Sequence, residues 1–344
     1  MSKIHTTTAL LTSVLLASQV QAGDSNIDTS FYGSLRVGAD YVDAGTNDDA
    51  ANGRDFLSRI GVKASMDLGG GFTGLARVEY GMRGDDGVNF VQNQKAGLRQ
   101  ITVGVKGDFG TLNFGSQTLL WHKYVRSAYF SDGLDSLRQG AIRDDDLLQW
   151  EKTSGHWKFG ASVQMEKQDG DSFDQFQLAA QYKAGDVKLQ AALSTDQRGD
   201  NSGNLYGVRA WYELNDAITL SAFHHLAQAD YDLYSGNSSG NVRLVSASEV
   251  GKVGGATSCN GEERSTSGIY ARWQSGANKL HTRYAINSCD VKGDIQSYKV
   301  EYVRSMSKAF KLWASIEQLD NDITRLPVTG EEMTALQIGA RVDF

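Results

Sequence analysis

The sequence predicts a closed antiparallel β-barrel that crosses a membrane with about sixteen strands. Three observations support this fold class. Segments of about ten residues alternate between apolar and polar side chains, as strands between lipid and water require. The connections between them are alternately short and long, which is typical of tight periplasmic turns and long external loops. The chain has 38 glycines but 1 proline, which suits tight turns and a closed hydrogen-bond ladder.

The composition excludes several other classes of protein. Of the 344 residues, 40% are hydrophobic, so the chain is not disordered. Two cysteines cannot staple a fold of this length, and no CxxC pair suggests a structural zinc site. The formal net charge of −7 argues against a nucleic-acid partner.

Residues 1–22 have the order of a cleaved secretory signal peptide. Lys3 supplies a positive start, an apolar run follows, and Val20-Gln21-Ala22 forms a small-residue cleavage site. The apolar run is too short to span a bilayer as a helix, and no later stretch is long enough. We therefore expect residues 23–344 to be one exported domain, either soluble or inserted in a membrane as a closed barrel.

The alternation favours the barrel. In the last segment, 333–344, Leu336, Ile338 and Val342 point to one side while Gln337 and Arg341 point to the other. Strands of a soluble sandwich average about five to six residues, which is shorter than these segments. A propeller would show a repeat of fixed period, and the sequence has none.

The same pattern defines all the predicted strands. They cover 31–41, 55–68, 72–83, 95–107, 111–119, 143–153, 156–166, 173–183, 187–196, 205–214, 218–230, 265–274, 279–289, 295–305, 309–319 and 333–344. The long connections are predicted at 42–54, 84–94, 120–142, 197–204, 231–264 and 320–332.

Several motifs resemble the general porins of Gram-negative outer membranes. FYGS at 31–34 resembles the first strand of that family, and SRIGVK at 58–63 followed by DLGGG at 67–71 resembles its second strand and first turn. VGVKGDFGTL at 103–112 resembles the hairpin of its fourth and fifth strands. GARVDF at 339–344 resembles its terminal strand. Each motif is loose by itself, but their order and spacing across the chain are specific.

The resemblance implies a 16-stranded barrel that assembles as a homotrimer in the outer membrane. Each subunit would hold a water-filled channel for passive diffusion of small hydrophilic solutes and ions, and a barrel of this size is too wide for side chains to fill. The final residue, Phe344, resembles the signal that the barrel-assembly machinery reads.

The resemblance also implies a constriction. In the family, the long loop after strand five folds into the pore and its acidic groups face arginines on the wall. Arg59 and Arg99 match positions of that basic wall, and Arg143 is a third candidate. Arg36 and Arg77 fall on the pore face by alternation and are further candidates.

The acidic candidates of the loop 120–142 are Asp132 and Asp135. The sequence departs from the family in two places. Ser34 stands where the family often has lysine, and the Pro-Glu-Phe-Gly-Gly signature is absent from the loop. Opposed charges would set a transverse field across the pore, while the acidic external loops count against an anion channel, so ion preference stays open.

Aromatic residues of the same loop leave two interpretations open. Trp121, Tyr124, Tyr129 and Phe130 could stack on sugar faces in a channel selective for oligosaccharides, which is the alternative function. The simpler interpretation, which we favour, is that the rings pin the loop to the wall.

The two cysteines are predicted to form a disulfide. Cys259 lies in the long connection before strand twelve, and Cys289 lies at the outer end of strand thirteen. A short turn joins these strands at 275–278, so their far ends are neighbours, and an exported protein meets oxidising conditions.

Catalysis is the competing class of function, and the sequence argues against an enzyme. It contains neither G-x-S-x-G nor H-E-x-x-H, and His224 and His225 must point to opposite faces of a strand. We expect no metal and no cofactor. Acidic pairs such as Asp48-Asp49 in the external loops suggest lipopolysaccharide, through divalent cations, as a further partner, although a solvated loop is the simpler interpretation.

Overall fold

A computed structural model describes most of the chain. The described residues are 27–43, 50–82, 97–127, 129–130, 140–165, 173–196, 203–229, 231, 263–289, 293–321 and 332–344. The predicted signal peptide, residues 1–22, lies outside them, so its cleavage stays a prediction.

The described residues form an antiparallel barrel of sixteen strands. These are β1 (Ile27–Asp43), β2 (Ala50–Asp55 and Arg59–Gly69), β3 (Phe72–Gly81), β4 (Gly97–Gly107), β5 (Gly110–Thr118), β6 (Arg143–Ser154), β7 (Trp157–Gln164), β8 (Gln175–Ala184), β9 (Val187–Asp196), β10 (Gly203–Glu213), β11 (Ile218–Ala227), β12 (Arg264–Ser275), β13 (Asn278–Cys289), β14 (Gly293–Ser305), β15 (Phe310–Asn321) and β16 (Glu332–Asp343). Each strand pairs with the next along the chain, which confirms the predicted fold class.

The first and last strands close the barrel. Ser34–Asp43 of β1 pair with 334–343 of β16, and the ladder ends with reciprocal backbone hydrogen bonds between Gly33 and Phe344. A closed ladder leaves no unpaired edge strand, as a lipid environment demands. The role of Phe344 as an assembly signal stays a prediction.

Strand β2 differs from its prediction because it is longer and interrupted. Residues 42–54 were expected to be a connection, but Ala50–Asp55 pair with Val37–Val42 of β1. The interruption lies at 56–58, where Leu57 has a positive φ of 72°. The kink turns Phe56 inward, and its ring packs edge-on against Trp313 with centroids 4.6 Å apart.

Polar side chains face the inside of the barrel, and apolar side chains face outward. Ile338 leaves 61% of its surface exposed, whereas adjacent Gln337 leaves 3%. Leu178 and Gln177 show the same contrast on β8. This inversion of the globular rule is what a wall between lipid and water requires. No helix among the described residues is long and apolar enough to cross a membrane.

The described loop residues fill one side of the barrel interior. After β5 the chain forms a short π-helix, His122–Arg126, here called the lumen helix. Buried apolar residues of the loop meet the inner faces of β6 and β8–β11 in one cluster. It comprises Leu119, Leu120, Trp121, Tyr124, Val125, Ala141, Leu147, Ala179, Ala192, Leu205, Ala227 and Tyr231. The predicted inward fold of the loop 120–142 therefore holds for its described part.

Candidate channel constriction

Two sides of the lumen differ in whether the described loop residues cover them. We call the inner face of β2–β6 the open side, because the described loop residues leave most of it uncovered. We call the inner face of β8–β15 the covered side, because the lumen helix and the residues after it pack there.

Glu79 on β3 organises the open side. Its carboxylate is 2% exposed and accepts hydrogen bonds of 2.8 Å from both Arg77 and Arg99. The hydroxyl of Tyr32 donates to the same carboxylate at 2.9 Å and accepts from Arg77 at 2.8 Å. Charge-assisted bonds of this length are strong, so they hold both guanidinium groups against the wall.

A β-bulge aims Arg99 into the lumen. Between β3 and β4, Glu79 pairs with Gln100 and Tyr80 pairs with Leu98, which leaves Arg99 as the extra residue. Regular alternation would point Arg99 to the lipid, on the side of Ile101. Its side chain lies over Gly81, where a Cβ atom would collide with it.

Arg59 and Arg143 complete the basic wall, which we define as Arg59, Arg77, Arg99 and Arg143. Arg143 interacts electrostatically with the other three and with Glu79, and Arg59 also interacts with Arg99. The structure therefore brings four of the five predicted arginines together. The fifth, Arg36, lies on the lumen side beside Ser34, whose hydroxyl accepts from its Nε at 2.8 Å.

The lumen helix is anchored to the covered side by polar contacts around its first and last turns. The backbone N–H of Trp121 donates to Gln177 at 3.0 Å, and the Nε2 atom of His225 donates to the carbonyl of Val125 at 3.3 Å. The indole of Trp121 packs against the His225 ring, with centroids 5.0 Å apart. A side chain at Gly207 would collide with the indole, so β10 accepts the helix because it has glycine there.

One edge of the helix reaches the open side. The ammonium group of Lys123 lies 2.7 Å from Glu151 on β6, and Lys158 contacts the same carboxylate at 2.8 Å. Burial lowers the pKa of Lys123 from its ordinary value, and Glu151 offsets part of that shift. Burial also raises the pKa of the Tyr124 phenol, which lies 3.5 Å from Glu151.

Tyr129 and its neighbour Ser127 fix the loop beyond the helix. Arg209 donates to the carbonyl of Ser127 at 2.8 Å, and its guanidinium lies 3.9 Å from the centre of the Tyr129 ring. That ring stacks on Tyr270 with centroids 4.3 Å apart, and its hydroxyl bonds Ser221 at 2.9 Å. Stacking, cation–π contact and hydrogen bond together hold the loop on β10–β12.

Phe130 covers a buried charge cluster. Lys299 lies 4.9 Å and Arg283 5.7 Å from the centre of its ring. Both cations are completely buried, and Glu317 balances them at 3.6 Å and 3.0 Å. The aromatic face and the carboxylate replace the water that these cations would otherwise need.

The four aromatic residues of the loop thus all pack against the wall. Trp121, Tyr124, Tyr129 and Phe130 are between 1% and 6% exposed. These contacts agree with the pinning interpretation, and sugar stacking by the same rings stays a prediction.

Bases outnumber acids in the described lumen contacts. Four carboxylates each hold two basic partners, namely Glu79 with Arg77 and Arg99, Glu151 with Lys123 and Lys158, Glu317 with Arg283 and Lys299, and Asp343 with Lys311 and Arg341. The Glu79, Glu151 and Asp343 clusters therefore each carry a net positive charge, whereas the buried Glu301 also interacts with Lys299 and balances the Glu317 cluster.

Other predicted site residues fall outside this geometry. Asp132, Asp135 and Cys259 lie outside the described residues, and Cys289 is placed only as the end of β13. The acidic face of the loop and the disulfide therefore stay predictions.

Sequence reasoning missed the wall residues that hold the constriction together. Glu79, Arg209 and Glu317 all lie on the pore face by alternation, and this signal was available. Nothing in one sequence, however, tells which polar lumen residue meets which partner. Among the residues that the structure describes, no group of His, Cys, Asp and Glu side chains is placed to hold a metal ion.

Comparisons with known proteins give a family and a fold. Residues 6–324 match the Gram-negative porin family. An outer membrane porin protein of Bordetella pertussis is 27% identical over 190 residues, which cover 47% of this chain and 49% of that protein. The chain thus aligns with about half the length of this curated relative.

Two solved structures have the same fold. The anion-selective porin from Comamonas acidovorans superposes with a TM-score of 0.72 at 17% identity, over 93% of this chain and 100% of that one. OmpT, an outer membrane protein of Vibrio cholerae, superposes in its trimer form with a TM-score of 0.64 at 15% identity, over 92% and 99%. At these identities the likeness concerns the fold alone.

Proposed function

The chain belongs to the Gram-negative porin family and is a β-barrel of the outer membrane, and we propose that it is a channel for passive diffusion of small hydrophilic solutes and ions that prefers anions. A barrel of sixteen strands leaves room for water between the open side and the loop. The chemistry proposed is therefore permeation, without a catalytic step.

The observation that carries the anion preference is the ratio of bases to acids in the lumen. Four lumen carboxylates each hold two basic side chains, and Arg59 and Arg143 add further positive charge near Glu79. Arg77 keeps 33% and Arg99 15% of its side chain exposed, so their field reaches the solute path. Low-dielectric walls concentrate such a field and attract anions.

The described part of the loop strengthens this argument. A porin loop with acidic groups would oppose the basic wall, yet the lumen helix presents Lys123, and no acidic residue occurs within His122–Arg126. The name of the structural neighbour from Comamonas acidovorans, an anion-selective porin, fits the same expectation.

The proposal includes partners. We propose a homotrimer, because a neighbour of the same fold is known in a trimer form. Lipopolysaccharide at the acidic external loops and recognition of Phe344 by the barrel-assembly machinery belong to the proposal on the sequence alone.

The test is a selectivity measurement in a planar lipid bilayer. The purified protein is placed between two potassium chloride solutions of different concentration, and the reversal potential is recorded. We expect the reversal potential to lie nearer the equilibrium potential of chloride than that of potassium. We also expect the channel to close in three equal conductance steps. A reversal potential nearer the equilibrium potential of potassium would overturn the anion preference. Absence of conductance would overturn the proposal that the protein is a channel.

Oligosaccharides added to the same bilayer test the alternative function. The buried loop aromatics give us no reason to expect block by neutral sugars at micromolar concentration. Such a block would move the proposal to an oligosaccharide-selective channel, with the rings exposed in a loop conformation other than this one.

A further inference from the structure

A cavity of about 520 Å³ lies inside the barrel between the lumen helix and the open side. Its volume is in the range of about 300–1,000 Å³ that small-molecule sites occupy. Its lining includes Lys123 of the helix and residues from β1–β5. A solute that crosses the open side passes this cavity.

Cations line one level of the cavity. Lys63 on β2 pairs across the strands with Arg77 on β3, and Arg77 pairs with Thr102 on β4. Lys63 lies 4.8 Å from the centre of the Tyr32 ring, and Lys123 interacts electrostatically with Arg77. Three positive side chains thus surround one level of the lumen.

Hydrogen-bonding groups without a positive charge occur at the next level. Two residues further along β2, Ser65 pairs with Asp28 of β1 and with Leu75 of β3, and Gly104 of β4 pairs with Asn113 of β5. Gly104 has no side chain, so the amide of Asn113 lies over it. Two residues of a strand span about 7 Å, which separates the cationic level from this second level.

We propose that this cavity is a binding subsite for polyhydroxylated carboxylates or phosphates of about the size of a sugar acid. The anionic group would bind at Lys63, Arg77 and Lys123. The hydroxyl groups would bond Thr102, which lies opposite Arg77, and Asn113 and Asp28 on the second level, where the carboxylate can only accept. An anion without hydroxyl groups would leave these polar side chains without ligand partners, and a neutral sugar would not use the cations.

This inference rests on the proposed function, since it adds a solute class to an anion-preferring channel. The test therefore begins with the chloride conductance and selectivity of the parent protein, whose absence would overturn the proposed function before the subsite is examined. Gluconate, a polyhydroxylated carboxylate, is then compared with hexanoate, a carboxylate of the same carbon count without hydroxyl groups, and with glucose.

We expect gluconate to reduce chloride conductance at about tenfold lower concentration than hexanoate, because each added hydrogen bond contributes a fraction of that factor. Glucose should be weaker than gluconate. Equal block by gluconate and hexanoate would overturn the hydroxyl-binding level, and equal block by gluconate and glucose would overturn the cationic level.

Substitutions separate the subsite from the fold. Thr102→Val keeps shape and charge, and with Asn113→Leu it should bring the gluconate block toward that of hexanoate. Gln181→Leu removes an amide from the lumen face of β8, away from the cavity, and is the matched control. Gluconate should block this variant at the same concentration as the parent protein. A misfolded variant would be recognised by its loss of chloride conductance. If Thr102→Val with Asn113→Leu conducts chloride and gluconate blocks it as it blocks the parent protein, the subsite is refuted.

Discussion

On the covered side of the lumen, Glu317 holds Arg283 and Lys299 beneath the loop, whereas on the open side Glu151 holds Lys123 and Lys158 at the edge of the water-filled space. The ratio of one carboxylate to two cations is the same. The surroundings differ, because both cations of the first cluster are fully buried and those of the second are 29% and 37% exposed.

Burial therefore decides what a charge cluster does. A desolvated cluster is strongly coupled to the fold, since removing one partner leaves uncompensated charge in a low dielectric. An exposed cluster adds little to stability, because water screens it, but its field acts on passing ions. The covered side therefore holds the loop, and the open side sets the field of the channel.

Glu317→Gln should produce the largest effect on stability. It removes the carboxylate that bridges the buried Arg283 and Lys299 and leaves Arg283 without this partner, so we expect a loss of about 3–5 kcal/mol. The matched change Glu151→Gln should cost less than about 1 kcal/mol, since its partners keep about a third of their side-chain surface exposed. Denaturant unfolding of the barrel in lipid vesicles measures both. Equal losses at the two sites would contradict the distinction between the sides.

Tyr129→Ala should release the loop from the covered side. It removes the stack on Tyr270 and the bond to Ser221, for a loss of about 3 kcal/mol. We expect larger and noisier single-channel conductance, because the loop no longer stays on the wall. Tyr129→Phe is the control, and it should lose only about 1 kcal/mol of hydrogen-bond energy. Single-channel conductance of Tyr129→Ala with the size and noise of the parent protein would show that other contacts hold the loop on the wall.

Arg59→Gln combined with Arg99→Gln should weaken the field of the open side. Each removed charge is partly exposed, so we expect the chloride-to-potassium permeability ratio to fall by about tenfold, equivalent to about 1.4 kcal/mol. Lys188→Gln on the covered side, where the ammonium lies 4.6 Å from the Trp211 ring, is the control with a smaller expected change. Reversal potentials measure the permeability ratio. Equal shifts in both variants would show that the basic wall contributes no more to the anion preference than other lumen cations.

Salt should affect the two sides differently, and this is the smallest of the four predicted effects. Raising the salt from about 0.1 M to about 1 M shortens the screening length from about 10 Å to about 3 Å. The anion preference should then decline, whereas the stability difference between the parent protein and Glu317→Gln should persist because that cluster is buried. An anion preference that is independent of salt would point to steric selection in place of charge.

Local patterns in the sequence determined the barrel itself. Alternation in each segment, such as Ile338 beside Gln337, depends only on which side of a strand meets lipid, and it predicted all sixteen strands within a few residues, apart from the start of β2 and the extended start of β1. The pore-facing positions of Arg59 and Arg77 followed from the same alternation or from the family resemblance. The start of β2 was overlooked because its strand 50–55 carries few apolar residues.

The division of the lumen into two sides depends on tertiary contacts. Arg99 faces Glu79 because a bulge breaks the alternation, and a bulge arises from the pairing of two strands and not from either alone. Tyr129 meets Tyr270, which is far away along the chain, and alternation cannot specify such a contact. Strand periodicity determines which face a side chain takes, whereas the partner it meets across a wide barrel depends on how the loop folds inside.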